Sequence, residues 1–343
     1  MESRSEEILF SILVPVRNTV AYLRQCIDSI LAQNYHNYEV IIVDNDSSDG
    51  SEKILDEYAL AHANMTVIHQ ENMGLLMSRR VAISCAKGEY LCFVDSDDYI
   101  APDFLSKIYH CIKKSAADVI VFGYQLVDEN GKKLNSDLKL TLKENYRQDE
   151  IYEFVLKMAE EPILNNLWLK AVKRELFDLR KNEEYKSLGH INGVEGFIQT
   201  LEILSSAVGI STNSDAKIYF YRIRNTSTVR SIDVWGRIDE YAYSNQKLNE
   251  YFSSYPQETY RKYRLVHFPV EVFSVFGIIR SVFQQNITLK EKRDEMSGIS
   301  DNAWVKTVLE RVGVPHNRRE FVLWCAKHKL YVAANIIFRV TGG

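Results

Sequence analysis

The chain has 343 residues, of which 46% are hydrophobic and 26% charged, with a formal net charge of −4 and a pI near 6.1. This length exceeds what one core comfortably holds, so two domains, or one with a large appendage, are expected, and the ordinary composition argues against long disorder. The mildly acidic balance offers no concentrated basic face, which disfavours DNA or RNA as a partner.

The N-terminus, MESRSEEILF, is acidic and enters a strand pattern at once, unlike a secretory signal with its basic start and apolar core. Cytoplasmic residence is expected. Five cysteines, Cys26, Cys85, Cys92, Cys111 and Cys325, form no CxxC pair and read as small buried hydrophobes in a reducing compartment.

From Ile8 to Gly123 short β-rich runs alternate with helical periods. Strands are expected at Leu9–Val14, Glu39–Asp44, Met65–His69, Tyr90–Val94 and Val119–Phe122, with helices at Val20–Gln33, Ser51–Ala63, Gly74–Ala86 and Asp103–Lys114. Repeated βα units give an α/β fold with a mostly parallel sheet, right-handed crossovers and flanking helices. No G-x-G-x-x-G follows the first strand and no Walker A loop occurs; Pro15, Val16, Arg17 and Asn18 fill the first turn instead. Asp128 to Glu150 is polar, broken at Gly131, and reads as a hairpin or surface excursion. A mixed region follows to about Arg230, with Trp168 and a tyrosine-rich strand at Ile218–Ile223, and a helical region begins after Ile232. No apolar stretch reaches the roughly twenty residues of a membrane span; Phe268–Ile279 is shorter and contains Glu271.

The most informative feature is Asp95, Ser96, Asp97 and Asp98, directly after the apolar strand Tyr90–Val94. Ligands of open α/β sheets bind at the carboxyl ends of strands. Three acids in four positions raise one another's pKa unless a cation sits among them, and a hard divalent ion with oxygen ligands, Mg²⁺ or Mn²⁺ carrying a diphosphate, meets that need. The simpler explanation is an acidic turn capping the helix that starts near Pro102.

Four signals line up at successive strand ends: Pro15–Asn18, Asp44–Asp49, Gly74–Arg80 and the Asp95 cluster. With them the chain resembles a family-2 glycosyltransferase of GT-A fold, the bacterial type that builds capsule or O-antigen polysaccharide. The resemblance covers roughly residues 8 to 230 and rests on SILVPVRN, EVIIVDNDSSDGS, ENMGLLMSRRVAISCAKGEYLCFVDSDD, LWLKAVKREL and YFYRIRNTST, in order. It implies a Rossmann-like nucleotide-sugar half at 1–125, an acceptor-side half at 126–230 and a helical region at 231–343. A nucleoside-diphosphate sugar, with a UDP donor favoured, and a growing or lipid-linked glycan are the implied partners.

The resemblance assigns Asp97 and Asp95 to the metal, Asp95 also to the ribose or donor sugar, and Asp44 and Asn45 to the nucleoside. Asn45 replaces an acid there, which weakens the case for a pyrimidine. Arg79 is assigned to the phosphates; Pro15, Val16, Asn18 and Ser96 complete the donor contacts. Asp46 and Asp49 read as turn and N-cap residues. Inverting transfer needs a carboxylate to take the acceptor's proton; the family supplies it from a Glu-Asp pair, and here the second position is Gly196, leaving Glu195 as the base in space the missing carboxylate vacates. The dipole-favoured start of a helix would explain Glu195 equally well. Glu183 and Glu184 read as a solvated turn.

Asn165, Asn166, Trp168 and Lys170 resemble the acceptor-side segment, where Trp168 is either a sugar platform or core. His190, Tyr221, Arg222 and Arg224 are further candidates for phosphate or acceptor. Arg318 to Arg339 reads as a basic amphipathic helix that lies on a membrane surface or docks on the core or a second copy of the chain. Two rival functions are a sugar-nucleotide pyrophosphorylase, which needs a glycine-rich basic loop that PVRN is not, and a non-catalytic subunit that keeps the fold without its base.

Overall fold

A computed structural model describes residues 8–135, 140–189, 191, 193–224 and 234–340, with side chains to residue 337. The chain divides into two compact units, Met1–Met158 with Pro162–Ser227, and Ala159–Glu161 with Thr228–Gly343.

Among the described residues the first unit is built on nine strands: β1 (Phe10–Val16), β2 (Tyr38–Asn45), β3 (Met65–Gln70), β4 (Tyr90–Phe93), β5 (Tyr99–Ile100), β6 (Val119–Val127), β7 (Asn145–Arg147), β8 (Lys170–Lys173) and β9 (Gly209–Arg222). They form one sheet in the order β3-β2-β1-β4-β8-β6-β9-β5, with β7 on β9. The strands β1, β2, β3 and β4 run parallel. β1 and β4 are buried at every residue, which is why they read as unbroken apolar runs: helices cover both faces of such a sheet.

The covering helices are α1 (Val20–Leu31), α2 (Ser51–Ala61), α3 (Gly74–Cys85) and α4 (Phe104–Ser115). Leu23, Cys26, Ile27 and Ile30 of α1 are buried, the i, i+3, i+4, i+7 stripe of a helix laid on a core. All four lie within a few residues of expectation. Asp128–Lys132 makes the expected hairpin, closed by the Asp128 N–H to the Lys132 carbonyl, with Gly131 at φ 81°.

The second half of the mostly parallel sheet is mixed: β6 and β9 pair in parallel. β8 runs antiparallel to both β4 and β6, and β5 antiparallel to β9. β9 is 14 residues long, starting well before the expected Ile218. Three further helices, α5 (Ile151–Glu160), α6 (Asn182–Ser187) and α7 (Glu195–Leu204), complete this half. Trp168 packs beneath β9, 2% exposed, its ring stacked 4.6 Å from Tyr219 and 5.0 Å from Tyr221. Trp168 and Tyr221 are therefore packed into the unit, and the sugar-platform expectation for Trp168 fails because its ring is buried.

The second unit contains α8 (Val234–Ser253), α9 (Gln257–Gln284), α10 (Leu289–Asp301), α11 (Ala303–Arg311), α12 (Arg318–Lys327) and α13 (Tyr331–Val340). Its core gathers Ile238, Val275, Ile279, Met296, Val308 and Leu323, among others. At 28 residues α9 is long and apolar enough to cross a membrane by length and composition, against the expectation that no segment is. Its buried residues Val275, Ile278, Ile279 and Val282 belong to the unit's core, and its buried Glu271 accepts from Arg311 at 2.6 Å. The expected single basic helix over Arg318–Arg339 is two helices, because Lys329 adopts φ 57° between them. Val322 and Cys325 of α12 face the core.

Candidate active site

Parallel register fixes where the signals meet. Val16 pairs with Asp44, Leu13 with Phe93 and Asp44 with His69, so the loops after β1, β2, β3 and β4 emerge at one edge of the sheet. β9 then returns antiparallel to β5, Tyr99 opposite Phe220. That pairing carries Tyr219, Arg222 and Arg224 back to the acids.

The three acids have different surroundings. Asp98 is 1% exposed; it accepts from the Tyr219 hydroxyl at 2.7 Å and from the Arg222 backbone N–H at 2.7 Å. Tyr219 in turn accepts the Asp95 N–H at 3.0 Å. Asp98 therefore ties β9 to the acidic loop. Burial, reinforced by Asp97 and Asp95, pushes its carboxyl upward, while the two donors pull it back. Asp95 and Asp97 keep side-chain exposures of 24% and 18% and face arginines: Asp95 meets Arg79 at 2.9 Å and Asp97 meets Arg224 at 2.6 Å. Burial raises the Asp97 carboxyl from its ordinary value, Arg224 opposes and Asp95 adds to the rise.

These two carboxylates supply the hard oxygen donors that Mg²⁺ and Mn²⁺ take. Among the described residues no three His, Cys, Asp or Glu side chains could enclose a metal. The donor set thus fits an ion held by one or two carboxylates, whose remaining positions go to phosphate and water.

Arg222, a candidate for phosphate, is buried and committed elsewhere. Its guanidinium donates to the carbonyls of Asp97 and Glu129 and to Gln25 and lies over Tyr22. Arg224, 19% exposed against 2% for Arg79, is the more accessible arginine partner of the acids. His190 lies outside the described residues.

The loop after β2 is pinned to the loop after β1. Asn18, at φ 52°, donates its N–H to Ser47 and accepts from Ser48; Asp49 accepts from Val20 N–H and from Ser51, as a turn residue should. Pro15 and Val16 are buried within β1, leaving only backbone for a ligand. Ser96 is buried, its hydroxyl accepting from Thr19 at 3.0 Å. Asn45 departs from its expected nucleoside role: its carbonyl accepts from Gln70 and the Met73 N–H, and its NH₂ donates to Asn72. Both ends of the amide brace the turn that opens α3. Asp44 accepts the Ser47 N–H at 3.1 Å and pairs with His69 Nδ1 at 2.8 Å. His69 also meets Asp56 at 3.1 Å; the Asp44 bond, aided by Asp56, raises its pKa against partial burial. Sequence reasoning missed His69, whose one signal is a polar residue at the end of β3.

On the opposite side Glu195 opens α7. The residue is partly exposed, yet its Oε2 is shut from solvent without a hydrogen-bond partner. Burial raises its carboxyl, Arg79 opposes the rise and Asp95 adds to it. Arg79 Nε and Asn165 Oδ1 are likewise buried and unpartnered. Unsatisfied buried polar atoms are rare in native structures; here an acid, a guanidinium N–H and an amide oxygen share one region of the fold.

The floor of that region is set by Lys170, fully buried, donating to the carbonyls of Leu164 at 2.6 Å and Asn166 at 2.7 Å. Burial, helped by Arg79, lowers its amine to about 7. Thr200 of α7 donates to the Asn165 carbonyl at 2.9 Å. A Cβ on Gly196 would sit 2.9 Å from that same oxygen. The space beside Glu195 is therefore filled by backbone, contrary to the expectation that a missing carboxylate leaves room.

Two outcomes follow from this packing. Gly196→Asp, which restores the family's acid, lowers stability by about 1–3 kcal/mol through overpacking and fails to raise activity; thermal melts and transfer assays check it. Because the folded-state pKa of Glu195 is raised, its stabilising contribution is complete below the unfolded value of about 4.3 and is lost as pH rises through the folded value. Glu195→Gln therefore melts above wild type at pH 7.5, and the gap closes as pH falls toward 4.

Residues 11–163 match the family described as Glycosyl transferase family 2. The glycosyltransferase GlyG of Streptococcus pneumoniae is 31% identical over 230 residues, 65% of this chain and 73% of that protein; EpsH of Bacillus subtilis is 30% identical over 221 residues, 64% and 62%. The crystal structure of S. aureus TarS 1-349 in complex with UDP-GlcNAc superposes with a TM-score of 0.69 at 20% identity, covering 96% of this chain and 90% of that one, a likeness that establishes the GT-A fold. On the strength of these relatives, the chain belongs to glycosyltransferase family 2 and is a glycosyltransferase.

Proposed function

We propose that the enzyme is metal-dependent and inverting, and that it moves a sugar from a nucleoside-diphosphate donor, UDP-linked by analogy with the TarS complex, to a hydroxyl of a growing glycan, lipid-linked acceptors included. The observation that carries this reading is the unpartnered, enclosed Glu195 Oε2, which shares its surroundings with the Arg79–Asp95 pair. A carboxylate with a raised pKa and an open acceptor site is what a general base near neutral pH requires.

In this reading Asp44 takes the nucleoside, its carboxylate fixed by His69 on Oδ2 and by the Ser47 N–H on Oδ1. Asp97 and Asp95 hold a Mg²⁺ or Mn²⁺ ion together with the donor's phosphates; when bound, the ion offsets charge on the departing nucleoside diphosphate. Arg79 and Arg224, now on those carboxylates, turn toward the phosphate oxygens, which guanidinium groups pair with readily. Glu195 takes the acceptor's proton as the new C–O bond forms. Lys170 and Gly196 keep the 164–166 backbone against α7 and thereby fix the carboxylate's approach.

Assay of a UDP-sugar panel with Mn²⁺ tests the assignment. Glu195→Gln should lose about 10²–10⁴-fold in transfer rate while donor-induced thermal stabilisation persists. Asp97→Asn should lose the metal-dependent part of that stabilisation. Wild-type transfer by Glu195→Gln rejects the base; a wild-type chain inert and unshifted with every donor favours a non-catalytic subunit.

A further inference from the structure

The second unit contains a cavity of about 360 Å³ that no step above uses, within the size range of small-molecule sites. One of its buried polar groups lacks the partner that burial normally demands. Tyr331, at the start of α13, is 7% exposed and lines the cavity, and its hydroxyl is buried with no hydrogen-bond partner. Leaving such a group unpaired costs about 1–3 kcal/mol. Lys292 of α10 lines the same cavity at 8% exposure. It donates to the Phe283 carbonyl at 2.8 Å, in the last turn of α9, and has no carboxylate partner among the described residues. An ammonium so placed has two donors left over. Buried charge is stable only when paired.

The lining contains three cationic side chains, Lys290, Lys292 and Arg293, and no acid. Among the described residues Arg293 meets its neighbour Asp294, at 3.7 Å. Apolar walls stand beside these cations: Phe283 inside, with Leu289 and Val332 54% and 65% exposed. A free inorganic anion would leave those aliphatic side chains uncovered. A neutral lipid would leave Lys292 unpaired.

We propose that this cavity binds a single-chain lipid phosphate, its head on Lys292 and the Tyr331 hydroxyl and its aliphatic chain along Leu289 and Val332. The site is separate from the donor site of the first unit, and its test does not depend on catalysis.

Calorimetric titration of the full chain with dodecyl phosphate below its micelle concentration, with inorganic phosphate and with dodecyl maltoside separates the terms. One dodecyl phosphate binds per chain; inorganic phosphate binds at least about tenfold more weakly, having no apolar contact; the maltoside does not bind; and UDP does not compete. Tyr331→Phe removes an unpaired hydroxyl, so it melts at or above wild type while weakening dodecyl phosphate binding roughly 5- to 10-fold, one hydrogen bond to an anion. The double variant Lys290→Ala/Arg293→Ala, both exposed positions, weakens it too. Unchanged affinity in Tyr331→Phe, equal binding of the maltoside, binding of inorganic phosphate as tight as of dodecyl phosphate, or competition by UDP overturns the proposal.

Discussion

Placing Asp95, Asp97 and Asp98 within four residues at the buried end of β4 creates a charge problem that the surrounding structure is arranged to meet. Asp98 is answered locally by the Tyr219 hydroxyl and the Arg222 N–H; Asp95 and Asp97 are answered by Arg79 and Arg224. The two solutions differ in consequence. Hydrogen bonds to Asp98 fix β9 across the acidic loop and are not exchangeable without unpairing the strand. Ion pairs at partly exposed carboxylates gain little net energy after desolvation, so a divalent ion and a diphosphate can replace both partners at once.

The same economy governs the opposite wall. Glu195, Arg79 and Asn165 all retain buried polar atoms without partners, a concentration of cost that a fold tolerates where a ligand completes the bonding. Lys170 and Thr200 hold the 164–166 backbone from two sides, and that backbone closes on Gly196. A family acid is therefore absent for a packing reason. Glu195, beside Gly196, keeps an enclosed carboxyl that burial raises above its ordinary value.

Much of this was legible in the residues because it is local. Periodicity located β1 to β4 and α1 to α4, and charge density located the acids, since crowding of like charge is visible without a fold. What escaped is non-local. β8 inserts antiparallel between β4 and β6, a pairing across about eighty residues that no alternation pattern encodes. His69 reaches Asp44 only through strand register. Asn45, Ser96 and Arg222 have residue types that suit ligands, yet each spends its groups inside the chain; sequence gives the chemistry of a side chain and not its partner. The break between α12 and α13 falls at a lysine in left-handed conformation, where no glycine or proline announces it.

The central claim is that Asp95 and Asp97 exchange arginine for a divalent ion when a nucleoside diphosphate arrives. Electron paramagnetic resonance of free Mn²⁺, titrated with protein in the presence and absence of UDP, measures that exchange directly. The account predicts loss of one equivalent of free-ion signal per chain with UDP and protein together, beyond what UDP or protein removes alone. A free Mn²⁺ signal that protein leaves unchanged at saturating UDP contradicts it.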